Sequence, residues 1–322
     1  MRLPLILPSP TGRDVDVVAL GESSLDLVGI GPMMPGASDK VTLSQFQMRP
    51  GGQAATVAVG CARLGWRARF IGSLGDDRWA DEVADQLRRE GVEPSVDVCP
   101  GATSRLALIL VAESSGDRQV FEYRDSRLAI AVDDRLAARA AAGRVLMVDA
   151  TDPAAAESAA RAARAQGIPT IVDVDRPGPA ADRVLRHADV IVVSETFAQA
   201  YGAERGGGVG EGLAAIAREF RPAVSVATLG PLGSLARCEG REIRTPGFTV
   251  PVVDTTGAGD AFRAGFLAAW LSEGPGIELE TVLEYANATG ALNCRGLGAQ
   301  TSLPTPAELS AFVTSAGRVQ SK

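Results

Sequence analysis

One stretch decides how this chain is interpreted: Asp254-Thr255-Thr256-Gly257-Ala258-Gly259-Asp260-Ala261-Phe262. It leads into an apolar segment, 261–271, with the composition of a helix. Small residues at a helix start let backbone N–H groups converge, and these groups and the helix dipole attract negative charge. Asp260 would lie in the first turn, where a carboxylate can take a proton from a hydroxyl while the N–H groups hold a phosphoryl group. The structural alternative is that Asp260 caps the helix and the glycines only turn the chain.

Strand-like and helix-like segments alternate along the rest of the chain. The predicted strands are Val15–Leu20, Arg67–Leu74, Arg144–Asp149, Thr170–Asp173, Val190–Val193, Val224–Thr228 and Ser234–Cys238. The predicted helices, besides 261–271, are 53–64, Asp77–Glu90 and Pro153–Gln166. Apolar strands separated by helices are typical of a parallel sheet covered on both faces. The sequence therefore predicts an α/β fold.

Two regions interrupt this alternation. Residues 95–127 contain two strand patterns, Leu106–Ala112 and Arg118–Tyr123, and residues 22–50 also lack a helical pattern. Two strand-rich insertions predict a small β-lid over an active site, although a plain surface hairpin is the alternative. The core then comprises residues 14–21, 51–94 and 128–322.

Two further glycine turns lie next to predicted helices and strands. Gly51-Gly52-Gln53-Ala54-Ala55-Thr56 opens the first helix, and paired glycines let a ligand approach the backbone. Thr228-Leu229-Gly230-Pro231-Leu232-Gly233 follows a strand, and α/β folds bind ligands at the carboxyl ends of their strands. A simple turn explains either segment alone, but the two segments and 254–262, in this order, form a specific pattern.

Composition excludes several classes of protein. The chain has 322 residues, enough for a sizeable core, and its net charge of −7 gives no overall attraction to nucleic acid or anionic membranes. Its two lysines, Lys40 and Lys322, do not form the Gly-Lys-Ser/Thr of a P-loop. A single histidine, His187, argues against a histidine-rich metal site. The four cysteines lack Cys-x-x-Cys spacing and no apolar run is long enough for a membrane span, so the expected setting is the cytoplasm.

The three glycine segments resemble the signatures of the PfkB (ribokinase-like) carbohydrate kinase family. Residues 51–65 are similar to its N-terminal signature and 254–262 to its C-terminal signature, and the resemblance extends from the first strand to Ser302. It implies a doubly wound, mostly parallel sheet with helices on both faces and a small β-lid. It also implies that ATP gives its γ-phosphate to a sugar hydroxyl, with Asp260 as the general base. The implied anion hole is formed by Gly257, Ala258 and Gly259.

The resemblance assigns binding residues as well. Sugar contacts are implied for Asp26, Gly51, Gly52, Gln53 and Thr56. Nucleotide contacts are implied for Thr228, Gly230, Gly233 and Asn287. Some members bind a monovalent cation such as K⁺, and the matching residues are Asp254, Thr256, Asn293, Gly296, Gly298 and Ser302, unless this is an ordinary glycine turn. Family lids often pair, which implies a homodimer through the lid.

The chain departs from the family pattern in its magnesium and sugar segments. Members often carry Asn-x-x-Glu, which helps to organise Mg²⁺, whereas this chain has Ser194-Glu195-Thr196-Phe197. Glu195 is therefore the remaining candidate for Mg²⁺. Gln53 and Thr56 replace two common asparagines, which alters the sugar contacts.

The substrate stays open between branches of the family. Val192–Ser194, Val172–Pro177 and Gly116-Asp117-Arg118 are similar to the ketohexokinase branch and favour a neutral ketose. Tyr123-Arg124 and Arg176 favour a ketodeoxygluconate-type sugar acid, whose carboxylate an arginine can hold with two hydrogen bonds. The sequence is equally compatible with Arg118, Arg124 and Arg176 being solvated surface residues. A nucleoside kinase, or a sugar- or nucleotide-binding protein without catalysis, is the wider alternative.

Overall fold

The computed structural model describes residues 1–114, 118–203, 207–273 and 276–315, which form a nine-stranded and a four-stranded sheet with helices. The strands are β1 (Val17–Leu20), β2 (Ser24–Gly31), β3 (Gln45–Gly51), β4 (Ala68–Gly75), β5 (Val92–Cys99), β6 (Leu106–Ala112), β7 (Arg118–Tyr123), β8 (Val145–Asp149), β9 (Thr170–Val174), β10 (Val190–Ser194), β11 (Val224–Thr228), β12 (Ser234–Cys238) and β13 (Arg241–Thr245). The helices are α1 (Gln53–Arg63), α2 (Arg78–Arg89), α3 (Asp134–Ala140), α4 (Pro153–Ala165), α5 (Pro179–Leu185), α6 (Glu195–Ala203), α7 (Val209–Phe220), α8 (Ala258–Glu273), α9 (Leu279–Asn293) and α10 (Pro306–Ser315).

The larger sheet has the strand order β13-β12-β11-β10-β9-β8-β1-β4-β5. Its strands are parallel from β11 to β5. At one edge β12 pairs antiparallel with β11, and β13 pairs antiparallel with β12. From β1 the chain adds β4 and β5 on one side and then, from β8 onward, the strands on the other. The predicted doubly wound, mostly parallel sheet is confirmed. Its order reverses between β1 and β8, and folds of this kind bind ligands at the carboxyl ends of the strands at such a point.

Both faces of the larger sheet are buried, and β1 shows how. Val17 and Ala19 belong to the apolar cluster that includes residues of α1, α8 and α9. Val18 and Leu20 belong to the cluster on the other face, with residues of α3, α4 and α7. Successive side chains of a strand point to opposite faces, so a strand covered on both sides must be apolar throughout. This is why the interior strands show continuous apolar runs in the sequence.

The smaller sheet, in the order β3-β2-β6-β7, is the lid. In it β2 and β6 are parallel, and the other pairs are antiparallel. Alternate residues face a cavity, among them Ala107 and Ile109, while Phe46, Met48 and Phe121 are more than half exposed on the opposite face. The lid therefore has a cavity-facing side and an apolar outer side.

Two element boundaries differ from those that the sequence predicts. The helix expected over 261–271 begins at Ala258, so the turn with Gly257 leads directly into it. Residues 95–99, assigned to the lid insertion by their pattern, belong to β5, which pairs with β4 as far as Cys99 opposite Gly75. As an edge strand β5 is half-exposed and lacks the apolar run of interior strands. No helix in the described parts of the chain is long and apolar enough to cross a bilayer.

Candidate active site

Two cavities open next to the carboxyl ends of the parallel strands and share the turn before α8. The first, the lid cavity, has a volume of about 380 Å³ and lies against the lid, Gly257 and Asp260. The second, the loop cavity, has a volume of about 480 Å³ and lies against Ala258, Gly259 and the loop after β11. Both volumes are typical of small-molecule sites.

The turn before α8 leaves backbone donors free. Gly257 has a φ of +73°, and a Cβ atom there would lie 2.6 Å from the carbonyl oxygen of Ala299, so only glycine fits. The N–H of Ala258 donates to the carbonyl of Thr255 at 3.2 Å. Within the described residues, the N–H groups of Gly257, Gly259 and Asp260 have no backbone acceptor. Free donors at a helix start can hold a phosphate group.

Asp260 is half-buried in the first turn of α8 and reaches the lid cavity. Desolvation raises its pKa to about 7, against the opposing charge of Arg263, and the charges of Asp175 and Asp149 add to the increase. A carboxylate with a pKa near 7 is suited to accept a proton at neutral pH.

Behind Asp260 lies a buried ion pair that the sequence patterns did not single out. Arg263 Nη2 is 2.5 Å from Asp173 Oδ1, and both side chains are at most 5% exposed. The same Nη2 donates to the carbonyl of Val192 at 2.6 Å, and neither carboxylate oxygen of Asp173 receives a well-directed N–H. Burial raises the pKa of Asp173 well above its usual value, against the opposing charge of Arg263, and the charge of Asp260 adds to the increase. The sequence feature that could have drawn attention to this pair is the position of Asp173 at the end of a predicted strand.

Asp26 lies in the lid cavity on β2. Its Oδ1 accepts a hydrogen bond from Ser24 Oγ at 2.7 Å. Gly51 faces Ser24 across the β2–β3 pair, and a Cβ atom on Gly51 would lie 2.2 Å from Asp26 Oδ2, so this glycine makes room for the carboxylate. Burial raises the pKa of Asp26 to about 6.

The first signature contributes only partly to the cavity wall. Gly52 and Gln53 line the lid cavity. Thr56 is fully buried in α1, where its hydroxyl accepts a hydrogen bond from Gln300 Nε2 at 3.2 Å. Gly51 and Thr56 do not line the cavity. Gly51 contributes by making room for Asp26, and Thr56 contributes to the packing of α1.

The arginines of the lid have different partners. Arg118 lines the lid cavity, donates to Thr256 Oγ1 at 2.8 Å and lies 3.6 Å from Asp254 Oδ1. Arg124 instead donates to the carbonyl of Leu128 at 3.1 Å and does not line the cavity, because the chain leaves the lid sheet after Tyr123. Arg176 is exposed at the cavity rim. Gly116 and Asp117 lie outside the described residues.

A charged bridge at the β1–β8 switch point was also missed. Arg105 forms ion pairs with Glu22 and Glu122, the second at 2.9 Å, and all three line the lid cavity. Glu22 lies in the loop between β1 and β2 and also accepts a hydrogen bond from Thr151 Oγ1 at 3.2 Å. The backbone N–H of Glu22 donates to buried Asp149 at 2.7 Å. The sequence feature that could have identified these residues is their position: Asp149 ends a predicted strand, and Glu22 lies just after another.

The predicted nucleotide residues all line the loop cavity: Thr228, Gly230, Gly233 and Asn287. Phe248 and Val250 are among the apolar side chains beside them. Asn287 Nδ2 donates to Ser234 Oγ at 3.1 Å and to the carbonyl of Thr245 at 3.2 Å, which ties α9 to the strands β12 and β13. An apolar slot with backbone polar groups can accept a flat heterocycle.

The six candidate cation ligands lie around one loop. Asp254 accepts hydrogen bonds from the N–H of Thr256 at 2.9 Å and of Gly298 at 2.8 Å. Asn293 Nδ2 donates to the carbonyls of Thr256 and Ala299, while its buried Oδ1 has no partner. The loop also brings Gly296 against Ser302, since a Cβ atom on Gly296 would lie 2.1 Å from Ser302 Oγ.

The predicted magnesium residue lies apart from these groups. Glu195 begins α6, accepts a hydrogen bond from Gln199 Nε2 at 3.1 Å and lines neither cavity. Within the part of the chain that is described, no three His, Cys, Asp or Glu side chains gather closely enough to hold a metal ion.

Comparisons with known proteins agree with this geometry. A ribokinase of Bacillus subtilis is 29% identical over 298 residues, which cover 91% of this chain and 98% of that protein. Fructokinase-1 of Oryza sativa subsp. japonica is 31% identical over 337 residues, covering 95% and 99%. A solved structure of Arabidopsis thaliana ribokinase complexed with ribose and ATP has the same fold, with a TM-score of 0.77 at 22% identity over 93% of this chain and 98% of that chain. The model of the pfkB family of carbohydrate kinases matches residues 14–306, which include the lid, both cavities and the turn before α8, and the chain therefore belongs to this family.

Proposed function

We propose that this carbohydrate kinase moves the γ-phosphoryl group of ATP to a hydroxyl of a sugar held in the lid cavity, with Asp260 as the general base. The observation that carries the proposal is the turn before α8. Gly257 and Asp260 line the lid cavity, whereas Ala258 and Gly259 line the loop cavity. A donor phosphate in one cavity and an acceptor hydroxyl in the other would therefore meet at this turn, and positioning of this kind supplies much of the rate of phosphoryl transfer.

In the proposed step the acceptor O–H gives its proton to Asp260 while its oxygen bonds to the γ-phosphorus. The bond from the γ-phosphorus to the bridging oxygen breaks, and ADP leaves with that oxygen. The free N–H groups of Gly257 and Gly259 are placed to stabilise the charge on the transferred group, and Ala258 shapes the same turn. The pKa of Asp260, about 7, allows it to be ionised before the step and protonated after it.

The loop cavity is the proposed ATP site, with Thr228, Gly230, Gly233 and Asn287 around the nucleotide. The Arabidopsis thaliana ribokinase of the same fold was solved with ATP. Mg²⁺ is usually held by substrate phosphates and one or two carboxylates rather than by a protein cage. That mode needs no cluster of protein carboxylates, and none is found among the described residues, so Mg²⁺ would arrive on the ATP phosphates. Glu195, outside both cavities, would reach it only through water.

A K⁺ site beside the anion hole is proposed from the loop around Asp254. Asn293 Oδ1, buried and without a partner, is an oxygen ligand of the kind that this cation binds. The carbonyl of Thr256 and the hydroxyl of Ser302 belong to the same loop cluster.

A homodimer through the lid is the proposed assembly. Phe46, Met48, Phe121 and Tyr123 expose 52–58% of their surface on the outer lid face, which a second copy of the lid would cover. Sedimentation should show a dimer that Phe121→Glu dissociates and Val132→Glu, at an equally exposed position outside the lid, does not. A monomeric wild type would reject this assembly.

The test of the proposed function is ADP release across a panel of ketoses, aldoses, sugar acids and nucleosides. We expect ADP release to depend on a sugar and to be lost in Asp260→Asn. Sugar-independent ATP hydrolysis, or turnover of nucleosides alone, would reject the proposal. Calorimetric binding of sugar or ATP without turnover would instead identify a binding protein.

A further inference from the structure

The lid cavity carries an excess of negative charge. Its described lining residues include five carboxylates, Glu22, Asp26, Glu122, Asp175 and Asp260. They include three guanidinium groups, Arg105, Arg118 and Arg176. An anionic substrate would therefore need a guanidinium group that is free to receive it.

The most enclosed of these arginines is already neutralised. Arg105 is 12% exposed, and its guanidinium group lies between Glu22 and Glu122. Glu22 lies in the loop between β1 and β2, Arg105 directly precedes β6 and Glu122 belongs to β7, so the bridge lies where the lid strands meet the core. Two carboxylates against one guanidinium group leave this wall with a negative charge.

The other two arginines do not reverse the balance. Arg118 is held by Thr256 and Asp254 at the end of the cavity next to the turn before α8, where the proposed function places the phosphate. Arg176 is exposed and directly follows Asp175, which lines the same rim and offsets its charge. Arg124, the remaining candidate for a sugar acid, bonds to the Leu128 carbonyl outside the cavity.

Carboxylates accept hydrogen bonds from sugar hydroxyls but repel a carboxylate or phosphate on the substrate. Resting on the proposed function, we infer that the acceptor is an uncharged polyhydroxyl compound and that the Glu22–Arg105–Glu122 bridge rejects sugar acids and sugar phosphates. Glu122 is the residue to change, because its removal frees one side of Arg105 while Glu22 keeps the guanidinium group in place.

The experiment compares substrate pairs that differ only in CH₂OH against COO⁻: D-fructose with 2-keto-D-gluconate (COO⁻ at C1) and with D-fructuronate (COO⁻ at C6), and D-glucose with D-glucuronate (COO⁻ at C6). Only a pair whose acid keeps the acceptor hydroxyl counts as an accepted pair, because the other acids have no hydroxyl to phosphorylate at that position. For the accepted pair, wild type should favour the neutral member by about 100-fold or more in kcat/KM. Glu122→Gln should reduce that ratio about tenfold, because Arg105 gains an open donor face. Glu113→Gln is the matched control, since Glu113 lies on the lid outside the cavity and contacts Ser44. It should leave the ratio within about twofold.

Calorimetric binding of the same pairs separates this inference from the proposed function. If wild type phosphorylates an acidic member as well as its neutral partner, or if Glu122→Gln leaves the ratio unchanged, the inference is wrong and the kinase assignment stands. If no compound is phosphorylated, the kinase assignment is wrong, and the binding ratio alone decides the inference: a neutral preference that Glu122→Gln reduces supports it, and equal binding overturns it.

Discussion

The two cavities that meet at the turn before α8 are lined by different kinds of residue. The described residues that line the loop cavity include no charged side chain, and its wall consists of glycines, small polar residues and apolar groups such as Phe248. Eight ionisable side chains line the lid cavity. We therefore expect backbone shape to select the ligand of the loop cavity, and the pairing of charges to select the ligand of the lid cavity. Changes in the first should act sterically and changes in the second electrostatically.

The largest expected effect is in the lid cavity. Asp260→Asn should lower kcat by about 10²–10⁴-fold, because the amide cannot take the proton of the acceptor hydroxyl. The KM values for sugar and ATP should change much less, since both cavities keep their shape. Steady-state kinetics at about pH 8 measures this, and a kcat within threefold of wild type would remove Asp260 as the base.

The same variant has a stability control. The folded-state pKa of Asp260 is raised above the ordinary carboxyl value, so folding favours its protonated form and stability is lost as pH rises from about 4 to about 7. Replacing a half-buried charge by a neutral amide should therefore leave Tm at about pH 8 equal to or above that of wild type. A lower Tm would mean that lost folding contributes to lost activity.

In the loop cavity the expected effect is smaller and steric. A Cβ atom on Gly233 would lie 2.2 Å from the carbonyl oxygen of Thr245, and its φ is +93°. Gly233→Ala should raise KM for ATP by about tenfold, which is the effect expected from one strained backbone position in a loop. The KM for sugar should change little. Gly240 also has a positive φ but has open space around its Cβ position, so Gly240→Ala should leave KM for ATP nearly unchanged. Equal effects of the two variants would show that backbone strain alone, and not the cavity wall, is responsible.

Arg118 and Arg124 provide a third, weaker contrast within the lid. Arg118→Gln should lower kcat/KM by about fivefold, because a half-exposed charge-assisted contact to Thr256 and Asp254 is lost. Arg124→Gln should have little effect, since its contact is with the Leu128 carbonyl. The ranking of the two variants tests whether the lid acts through the phosphate end of the cavity.

The smallest expected effect concerns K⁺. The rate should rise by a few-fold with K⁺ relative to a bulky organic cation, and Asp254→Ala should remove that response, because Asp254 holds the loop through Gly298 and Thr256. Initial rates across K⁺ concentrations measure it. A flat response in wild type would leave the loop with a structural role only.

The sequence predicted the loop cavity better than the lid cavity, and the contrast between the two explains why. Thr228, Gly230 and Gly233 follow a strand within six residues, so a local pattern was sufficient to bring them to one wall. The parallel sheet was equally predictable, because strands such as β1 are buried on both faces and carry no polar residue.

The missing parts depend on contacts between distant segments. Along the chain β2, β3, α1, β4, α2 and β5 lie between Glu22 and Arg105, and nothing in either local pattern indicates that they form an ion pair. The Arg263–Asp173 pair joins α8 to β9 in the same way. Even Arg118 and Arg124, six residues apart, have different partners because the lid strand ends between them. A sequence pattern supplies candidate charges, but only the fold determines which charges neutralise one another.

The measurement that tests the central claim most directly is the pH profile of kcat/KM for wild type and Asp260→Asn, with ADP quantified chromatographically. The base acts when ionised and its pKa is raised to about 7, so the wild-type value should fall about tenfold per pH unit below that point. The fall should become steeper below about 6, where Asp26 also takes a proton. Asp260→Asn should lose the step near pH 7 and keep only the one near 6. A wild-type profile that is flat from about pH 8 to about pH 5.5, or a step near 7 that persists in the variant, would contradict the assignment of Asp260 as the base.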